Sequence, residues 1–197
     1  MVVIEINVYG GKKATIYLNK APFFPLLTLP PTPPRSPPHP DSGAGTSSKR
    51  YLSTFCDGAS RTTPFQAGAG AVLYWNFEEI ATNTDTIPLA TSNQGEYRSN
   101  ILAVILAIEF NQLNYPHSCY FHGDSSLIIL LLQTGHYPSH PDLLPLHLLL
   151  LQHIKIFTNH PIKQVKAFFI HVKRHLNKRS DAMANGSSIS LAAAAAT

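Results

Sequence analysis

The order of strand-like and helical segments after residue 50 is the sequence feature that most constrains the fold. Three short runs of aromatic, β-branched and small residues are separated by turn signals. They predict a meander of three antiparallel strands at Tyr51–Asp57, Gly68–Trp75 and Glu79–Thr86. Apolar residues at helical spacing follow, and they predict an amphipathic helix over residues 94–112, which the Asn114-Tyr115-Pro116 sequence ends.

The rest of this region alternates between helix and strand. The predicted elements are a strand at Cys119–Gly123, a helix at Ser125–Leu132, a helix at Asp142–Thr158, a strand at Lys163–Val172, and a last helix that Asn177 caps and that ends at Gly186. Strands joined through helices are parallel neighbours in one sheet, and helices cover that sheet. The sequence therefore predicts an α/β fold with a five-stranded mixed sheet, three antiparallel strands and then parallel ones, flanked by helices.

The first 50 residues have a different composition. Residues 1–20 alternate weakly around Gly10-Gly11, which predicts a small hairpin or, because a lone hairpin is marginal in water, a disordered segment. Residues 21–50 are predicted to be a Pro-rich linker, since nine of the sixteen prolines fall between Ala21 and Pro40. The simplest interpretation is a spacer, and the alternative is a ligand for a proline-binding partner. Residues 187–197 are predicted to be a low-complexity tail.

The composition says more about the cellular compartment of the protein than about its binding partner. The formal net charge of +4 is concentrated in residues 1–50, so charge alone is weak support for a nucleic-acid partner. Two cysteines make no disulfide framework, and neither a signal peptide nor an apolar run of membrane-spanning length is present. We therefore expect an intracellular protein of the cytoplasm or nucleus with no membrane contact. A monomer is the simplest oligomeric state, and the sequence leaves that state open.

Four carboxylates occupy special points of this layout: Asp57 on the first strand, Glu96 in the first turn of the long helix, Asp124 after the fourth strand, and Asp181 in the last helix. If the first and fourth strands are neighbours, these side chains converge. Such crowding of negative charge is costly unless cations neutralise it. Oxygen ligands suit Mg²⁺ or Mn²⁺, and two such ions can catalyse hydrolysis of a phosphodiester. Taken singly, each acid is more simply a solvated charge or a helix cap.

Four sequence fragments, in this order and each on one of these elements, carry a family resemblance. They are Phe55-Cys56-Asp57-Gly58-Ala59-Ser60 with Ala67-Gly68-Ala69-Gly70-Ala71-Val72-Leu73, Thr91-Ser92-Asn93-Gln94-Gly95-Glu96-Tyr97-Arg98, Gly123-Asp124-Ser125-Ser126-Leu127, and His171-Val172-Lys173-Arg174 with Asn177-Lys178-Arg179-Ser180-Asp181-Ala182-Met183-Ala184-Asn185. Residues 51–186 thereby resemble a ribonuclease H type 1 domain, in the short form of bacterial, archaeal and reverse-transcriptase-fused members.

The resemblance implies a ribonuclease H-like fold and a function. The implied activity is metal-dependent endonucleolytic hydrolysis of the RNA strand of RNA–DNA hybrids, which leaves 5′-phosphate ends. The catalytic and metal-binding residues it implies, for two Mg²⁺ or Mn²⁺ ions, are Asp57, Glu96, Asp124 and Asp181. The nucleic-acid-binding residues it implies are Gly58, Ala59, Ser60, Asn93, Gln94 and Arg174.

The chain also departs from the family pattern. Thr62-Thr63-Pro64-Phe65 stands where the family has a glycine-rich turn, and Gly95 stands where it usually has alanine. The implied affinity for the hybrid then depends on basic residues, namely Lys163, Lys166, Lys173, Arg174, Lys178 and Arg179. These departures leave an alternative open, a catalytically impaired nucleic-acid-binding protein or a retroelement-derived remnant on the same fold.

Overall fold

A computed structural model describes residues 2–7, 13–18, 51–62, 65–114, 116, 118–159 and 165–194. Its strands are β1 (Val2–Asn7), β2 (Lys13–Leu18), β3 (Tyr51–Thr62), β4 (Phe65–Trp75), β5 (Glu78–Pro88), β6 (Ser118–Gly123) and β7 (Lys166–His171). Its α-helices are α1 (Ser92–Asn114), α2 (Ser126–Thr134), α3 (Leu144–Thr158) and α4 (Lys178–Ala194), and 3-10 turns precede α3 and α4. The predicted Pro-rich linker, residues 21–50, lies outside the described residues.

The main sheet has five strands in the order β5-β4-β3-β6-β7. Strands β3, β4 and β5 form an antiparallel meander, and β6 and β7 continue the sheet parallel to β3. The parallel pairs are joined through helices, as the sequence pattern required. The predicted α/β class, with a five-stranded mixed sheet, is confirmed.

The helices lie on both faces of this sheet, and two glycines show how. A Cβ atom at Gly58 would lie 2.2 Å from the backbone nitrogen of Glu96 in α1, and one at Gly70 would lie 2.8 Å from that of Ala184 in α4. Gly70 pairs with Asp57, the neighbour of Gly58, and successive residues of a strand face opposite sides of the sheet. Helices α1 and α4 therefore cover opposite faces at the point where Asp57 lies.

The main core lies on the α1 face. It is built from apolar side chains of β3, β6 and β7 packed against those of α1, α2 and α3, with Leu52, Ile101, Phe121, Leu150 and Phe169 among its members. Cys56 and Cys119 belong to this core as buried free thiols. Separately, β1 and β2 pair antiparallel in a two-stranded sheet, which is the hairpin that the alternation of residues 1–20 predicted.

Several predicted boundaries differ from the structure: β4, for example, begins at Phe65 instead of Gly68. Three of the differences concern the site or the tail. Strand β3 continues past Asp57 to Thr62, because Gly58 to Ser60 pair with β4 instead of forming a turn. Helix α1 begins at Ser92, which puts Glu96 in its second turn. Helix α4 runs through Gly186 to Ala194, so most of the predicted tail is helical. A helix tolerates an exposed internal glycine at a cost of about 1 kcal/mol, and Gly186 has nothing within 4 Å of its Cβ position.

Within the part of the chain that the structure describes, none of the helices combines the length and the apolar character needed to cross a bilayer.

Candidate metal centre

Three of the four predicted carboxylates meet at one point. One side-chain oxygen each of Asp57, Glu96 and Asp124 lies within 4.8 Å of the others. Asp57 is on β3 and Asp124 directly follows β6, and these two strands are parallel neighbours, with Cys56 opposite Gly123. The ladder therefore carries both acids to the same edge of the sheet, as the sequence pattern indicated.

Glu96 reaches this edge because α1 lies directly on β3. At Gly58 a side chain would overlap the α1 backbone, so only glycine permits this approach. Gly95 serves the same contact from the helix side, since a Cβ atom there would lie 3.2 Å from the Cβ of Ala67 and 3.3 Å from the carbonyl oxygen of Gly68. An alanine at position 95 would therefore require its neighbours on β4 to move by a few tenths of an ångström.

The start of α1 is fixed by a capping box. The Gln94 side-chain oxygen accepts a hydrogen bond from the Thr91 backbone N–H at 2.8 Å, and the Thr91 hydroxyl accepts one from the Gln94 backbone N–H at 3.3 Å. This arrangement fixes the first turn of α1, directly before Glu96. Sequence reasoning assigned Gln94 to nucleic-acid contacts and missed the Thr91-x-x-Gln94 signature, which was present in the sequence.

Asp124 is held through its backbone. The carbonyl oxygen of Asp124 lies 3.1 Å from Nε2 of His171 at the end of β7, and the Val172 backbone N–H donates to the carbonyl oxygen of Gly123 at 3.0 Å. The ends of β6 and β7 are thereby tied together. These hydrogen bonds involve only the backbone at this point, so the Asp124 carboxylate is available to Asp57 and Glu96.

Each carboxylate of this acidic trio, Asp57, Glu96 and Asp124, has one buried oxygen with no hydrogen-bond partner among the described residues. Buried polar atoms are normally satisfied, so three orphaned oxygens in one cluster point to a ligand that bonds to all of them. Carboxylate oxygens are the ligands that hard divalent cations prefer. The acidic trio therefore fits a divalent metal ion.

The electrostatics of the trio agree with this interpretation. Burial, and then the charges of Glu96 and Asp124, raise the pKa of Asp57 to about 9. Burial, and then the charge of Asp124, raise the pKa of Glu96 to about 8. Without a cation, Asp57 and Glu96 bind protons more tightly than ordinary carboxylates, because burial and neighbouring negative charge disfavour their ionised forms.

Asp181 lies beside the trio without belonging to it. Burial acts to raise the pKa of Asp181, but hydrogen bonds from Arg174 and Asp57 outweigh it and lower the pKa below its usual value. The guanidinium of Arg174 donates to Oδ1 of Asp181 at 3.0 Å. The structure thus places the fourth predicted carboxylate next to Asp57 and pairs it with an exposed arginine.

Asn177 positions the start of α4 relative to β3. The sequence predicted Asn177 as a helix cap but did not reveal this second role. Its side-chain amide donates to the carbonyl oxygen of Cys56 at 2.8 Å, and its amide oxygen accepts from the Ser180 hydroxyl at 2.6 Å. Asn177 is itself buried and directly precedes α4. The hydrogen bond to Cys56 fixes the start of α4, four residues before Asp181, against the strand that carries Asp57.

The predicted nucleic-acid-binding residues have different surroundings. Gly58 and Ala59 are buried in the β3–β4 ladder, whereas Ser60, Asn93 and Arg174 are exposed. Among the basic residues, Lys166, Lys173 and Lys178 are exposed, and Arg179 forms an ion pair with Glu79 on β5 at 2.9 Å. Lys163 lies outside the described residues. The positions of these residues do not by themselves identify a nucleic-acid contact.

Comparison with solved structures supplies relatives of this fold. The chain is similar to RNase H1 from the halophilic archaeon Halobacterium salinarum, with 30% identity, a TM-score of 0.57, and coverage of 70% of this chain and 96% of that one. It is also similar to the N-terminal RNase H domain of a Mycobacterium tuberculosis protein, solved as a fusion with maltose-binding protein, with 25% identity, a TM-score of 0.60, and coverage of 74% and 98%.

A third solved structure, LC11-RNase H1 in complex with an RNA/DNA hybrid, shares 23% identity and the fold, with a TM-score of 0.58 and coverage of 73% of this chain and 99% of that one. No family model matches the sequence, and no curated protein matches it. The similarity to the archaeal RNase H1 spans nearly the full length of that chain, at 30% identity. On these grounds, the chain belongs to the RNase H1 family.

Proposed function

We propose that this protein is a metal-dependent endoribonuclease that hydrolyses the RNA strand of RNA–DNA hybrids. The observation that carries the proposal is the acidic trio, with three orphaned oxygens where two neighbouring strands and a helix start meet. Membership of the RNase H1 family supports the substrate class, and one solved relative of the same fold holds an RNA/DNA hybrid.

Asp57, Glu96 and Asp124 would hold the metal, and Asp181 would complete a site for two ions of Mg²⁺ or Mn²⁺. Divalent ions bound there supply activation of the attacking water and stabilisation of the leaving oxygen. Asp57 would be central to this site, since its carboxylate lies beside those of Glu96 and Asp124 and is hydrogen-bonded to Asp181.

The remaining assigned residues would hold the substrate. Ser60 and Asn93 are exposed and would donate and accept hydrogen bonds along a nucleic-acid strand. Glu96 would contact a 2′-hydroxyl, the group that distinguishes RNA from DNA. Arg174 would bind phosphate once a metal has replaced it beside Asp181.

A cleavage assay tests the proposal. We expect the protein with Mg²⁺ to cut the labelled RNA strand of a hybrid, to leave 5′-phosphate ends, and to spare duplex DNA. Asp124→Asn should abolish cleavage, whereas Asp142→Asn, at an exposed carboxylate on the 3-10 turn before α3, should leave the rate unchanged. Equal cleavage by both variants would contradict the site assignment.

One observation favours a second candidate function. The Arg174–Asp181 ion pair already engages one of the four predicted ligands, and a protein in which that pair persists would bind a hybrid without cutting it. That candidate predicts that the parent protein binds the hybrid, in the presence of Mg²⁺, without cutting it. The same assay, read together with a filter-binding measurement on the same hybrid, separates the two functions.

A further inference from the structure

A groove lined by aromatic side chains lies on the α4 face of the sheet. Rings from three neighbouring strands adjoin one another there: Phe55 meets Tyr74 edge to face at 5.7 Å between centroids and stacks on His122 at 4.4 Å. With Tyr120 on β6 and Phe77 at the β4–β5 turn, these five residues form what we call the aromatic groove. Its volume of about 620 Å³ is in the range of ligand-binding sites.

The rim of the aromatic groove exposes large apolar side chains. Phe77 is 83% exposed and Leu176, just before α4, is 61% exposed. Phe77 also has φ of 74°, after Asn76 with φ of 48°, so this tight hairpin turn uses the left-handed conformation at both positions. Glycine is the residue that such a turn favours at its second position. A large ring held in solvent there is unfavourable for the free domain, which points to a ligand that covers it.

The chain itself carries a segment with the matching chemistry. Residues 30–40, Pro-Pro-Thr-Pro-Pro-Arg-Ser-Pro-Pro-His-Pro, lie outside the described residues, and their composition predicts an extended polyproline helix. Proline-rich segments bind grooves lined with aromatic rings, and they lose little conformational entropy on binding because they are extended beforehand. The groove presents rings and few charges, which suits such a ligand.

Connectivity favours binding within one molecule. Strand β3 begins at Tyr51, and Phe55 of the aromatic groove is four residues further along that strand, roughly 13 Å at the usual rise per residue. The intervening residues 41–50 can span up to about 33 Å when extended. A short tether of this kind gives an effective concentration on the order of 1 mM, so even weak affinity fills the groove.

We propose that the aromatic groove binds the chain's own proline-rich segment, residues 30–40. The bound segment covers Phe77 and Leu176 and lies beside the acidic trio, since Phe55 is two residues from Asp57 on the same face of β3. This proposal does not depend on the proposed nuclease function.

Paramagnetic relaxation in the full chain tests the proposal. The two native cysteines are fully buried, so a nitroxide can be attached selectively to a Ser36→Cys chain. In a dilute ¹⁵N-labelled sample, we expect the amide signals of Tyr74, Phe77 and Leu176 to lose most of their intensity relative to the reduced label. Signals of α2, outside the groove, should keep theirs.

Three controls make the outcome decisive. Replacing Pro30, Pro31, Pro33, Pro34, Pro37 and Pro38 with serine, in the labelled chain, should restore the groove signals. Phe77→Asn, which keeps a residue that tolerates the left-handed turn, should restore them in part, whereas Leu130→Asn, a matched exposed position on α2, should not. In a mixture of spin-labelled chains at natural nitrogen abundance with ¹⁵N-labelled chains that carry no nitroxide, the groove signals should not broaden.

Specific outcomes would overturn the proposal. Groove signals that keep their intensity, or broadening that survives the serine substitutions, would exclude a site for the proline-rich segment. Broadening in the mixed sample would instead indicate binding between two copies. If the groove signals shift on addition of single-stranded RNA while the nitroxide leaves them unaffected, the groove is a nucleic-acid surface and the assignment to residues 30–40 fails.

Discussion

The side-chain amide of Asn177 donates a 2.8 Å hydrogen bond to the carbonyl oxygen of Cys56, across 121 residues of sequence. Both groups are buried, and each adjoins an element that bears an acid: Cys56 precedes Asp57, and Asn177 precedes the helix of Asp181. One hydrogen bond therefore sets the distance between β3 and the start of α4. It connects the first sequence motif directly to the fourth.

Asn177→Ala should destabilise the protein by about 1–3 kcal/mol, because it removes the side-chain amide that donates to the buried Cys56 carbonyl and accepts from Ser180. Urea unfolding followed by circular dichroism measures the change. Asn159→Ala, at an exposed position after α3, is the matched control and should change stability little. Equal midpoints for the two variants would show that the hydrogen bond does not hold α4 in place.

Gly58→Ala should prevent α1 from docking in its present position. The added Cβ atom would lie 2.2 Å from the backbone nitrogen of Glu96, and backbone cannot yield as a flexible side chain can. Gly186→Ala, where nothing lies within 4 Å, should instead stabilise α4 by about 1 kcal/mol. Thermal unfolding of both variants checks the contrast. A Gly58→Ala protein as stable as the parent would mean that α1 can move away at no cost.

The free energy of unfolding of the metal-free protein should fall as pH rises. Asp57 and Glu96 have pKa values of about 9 and 8 in the folded state, above their ordinary values of 3.8 and 4.5. Between those limits the folded state binds more protons than the unfolded state, so raising the pH favours unfolding. Urea titrations in EDTA, from about pH 5 to about pH 8, measure the slope. Asp57→Asn should flatten it, and Asp142→Asn should not.

Added Mg²⁺ should reverse this slope. A cation that binds the deprotonated trio stabilises the folded state by mass action, and it competes with protons for the same oxygens. We therefore expect Mg²⁺ to raise the unfolding midpoint more at pH 8 than at pH 5. A shift that is the same at both pH values would place the bound ion away from Asp57, Glu96 and Asp124.

Arg174→Gln should strengthen metal binding at Asp181. Arg174 is 72% exposed on its side chain, so the loss of its ion pair should change stability little. The same substitution removes the cation that competes with a metal for the Asp181 oxygens. Titration with Mn²⁺, followed by electron paramagnetic resonance, should show a severalfold tighter second ion. Weaker binding would mean that Arg174 orients Asp181 toward the metal.

Much of this arrangement could be predicted from the residues. Five strands, their meander and the parallel strands after it followed from the element order, because helical connections favour parallel neighbours. The adjacency of β3 and β6 was a condition of the predicted site, and the structure shows it. That pairing alone places Asp57 beside Asp124. The sheet was predictable because the spacing of apolar residues, which differs between strands and helices, can be read directly from the sequence.

Contacts between distant segments were not predictable in the same way. The strand character of Gly58–Ser60 was hidden, because glycine and serine are typical of turns and only the close approach of α1 explains them. The use of Gln94 as a capping residue and the hydrogen bond from Asn177 to Cys56 depend on three-dimensional neighbours. The end of α4 was predicted eight residues early because a glycine in an exposed helix position is a weak stop signal.

The docking of α4 on Gly70 has a consequence for the nascent protein. Every strand of the main sheet precedes α4 in the sequence, so the ribosome releases a sheet with Asp57, Glu96 and Asp124 in reach before the segment bearing Asp181 has emerged. Asp181 can join Asp57, Glu96 and Asp124 only after translation has passed the start of the last helix. A nascent chain that stops before α4 therefore lacks the fourth of the proposed metal ligands.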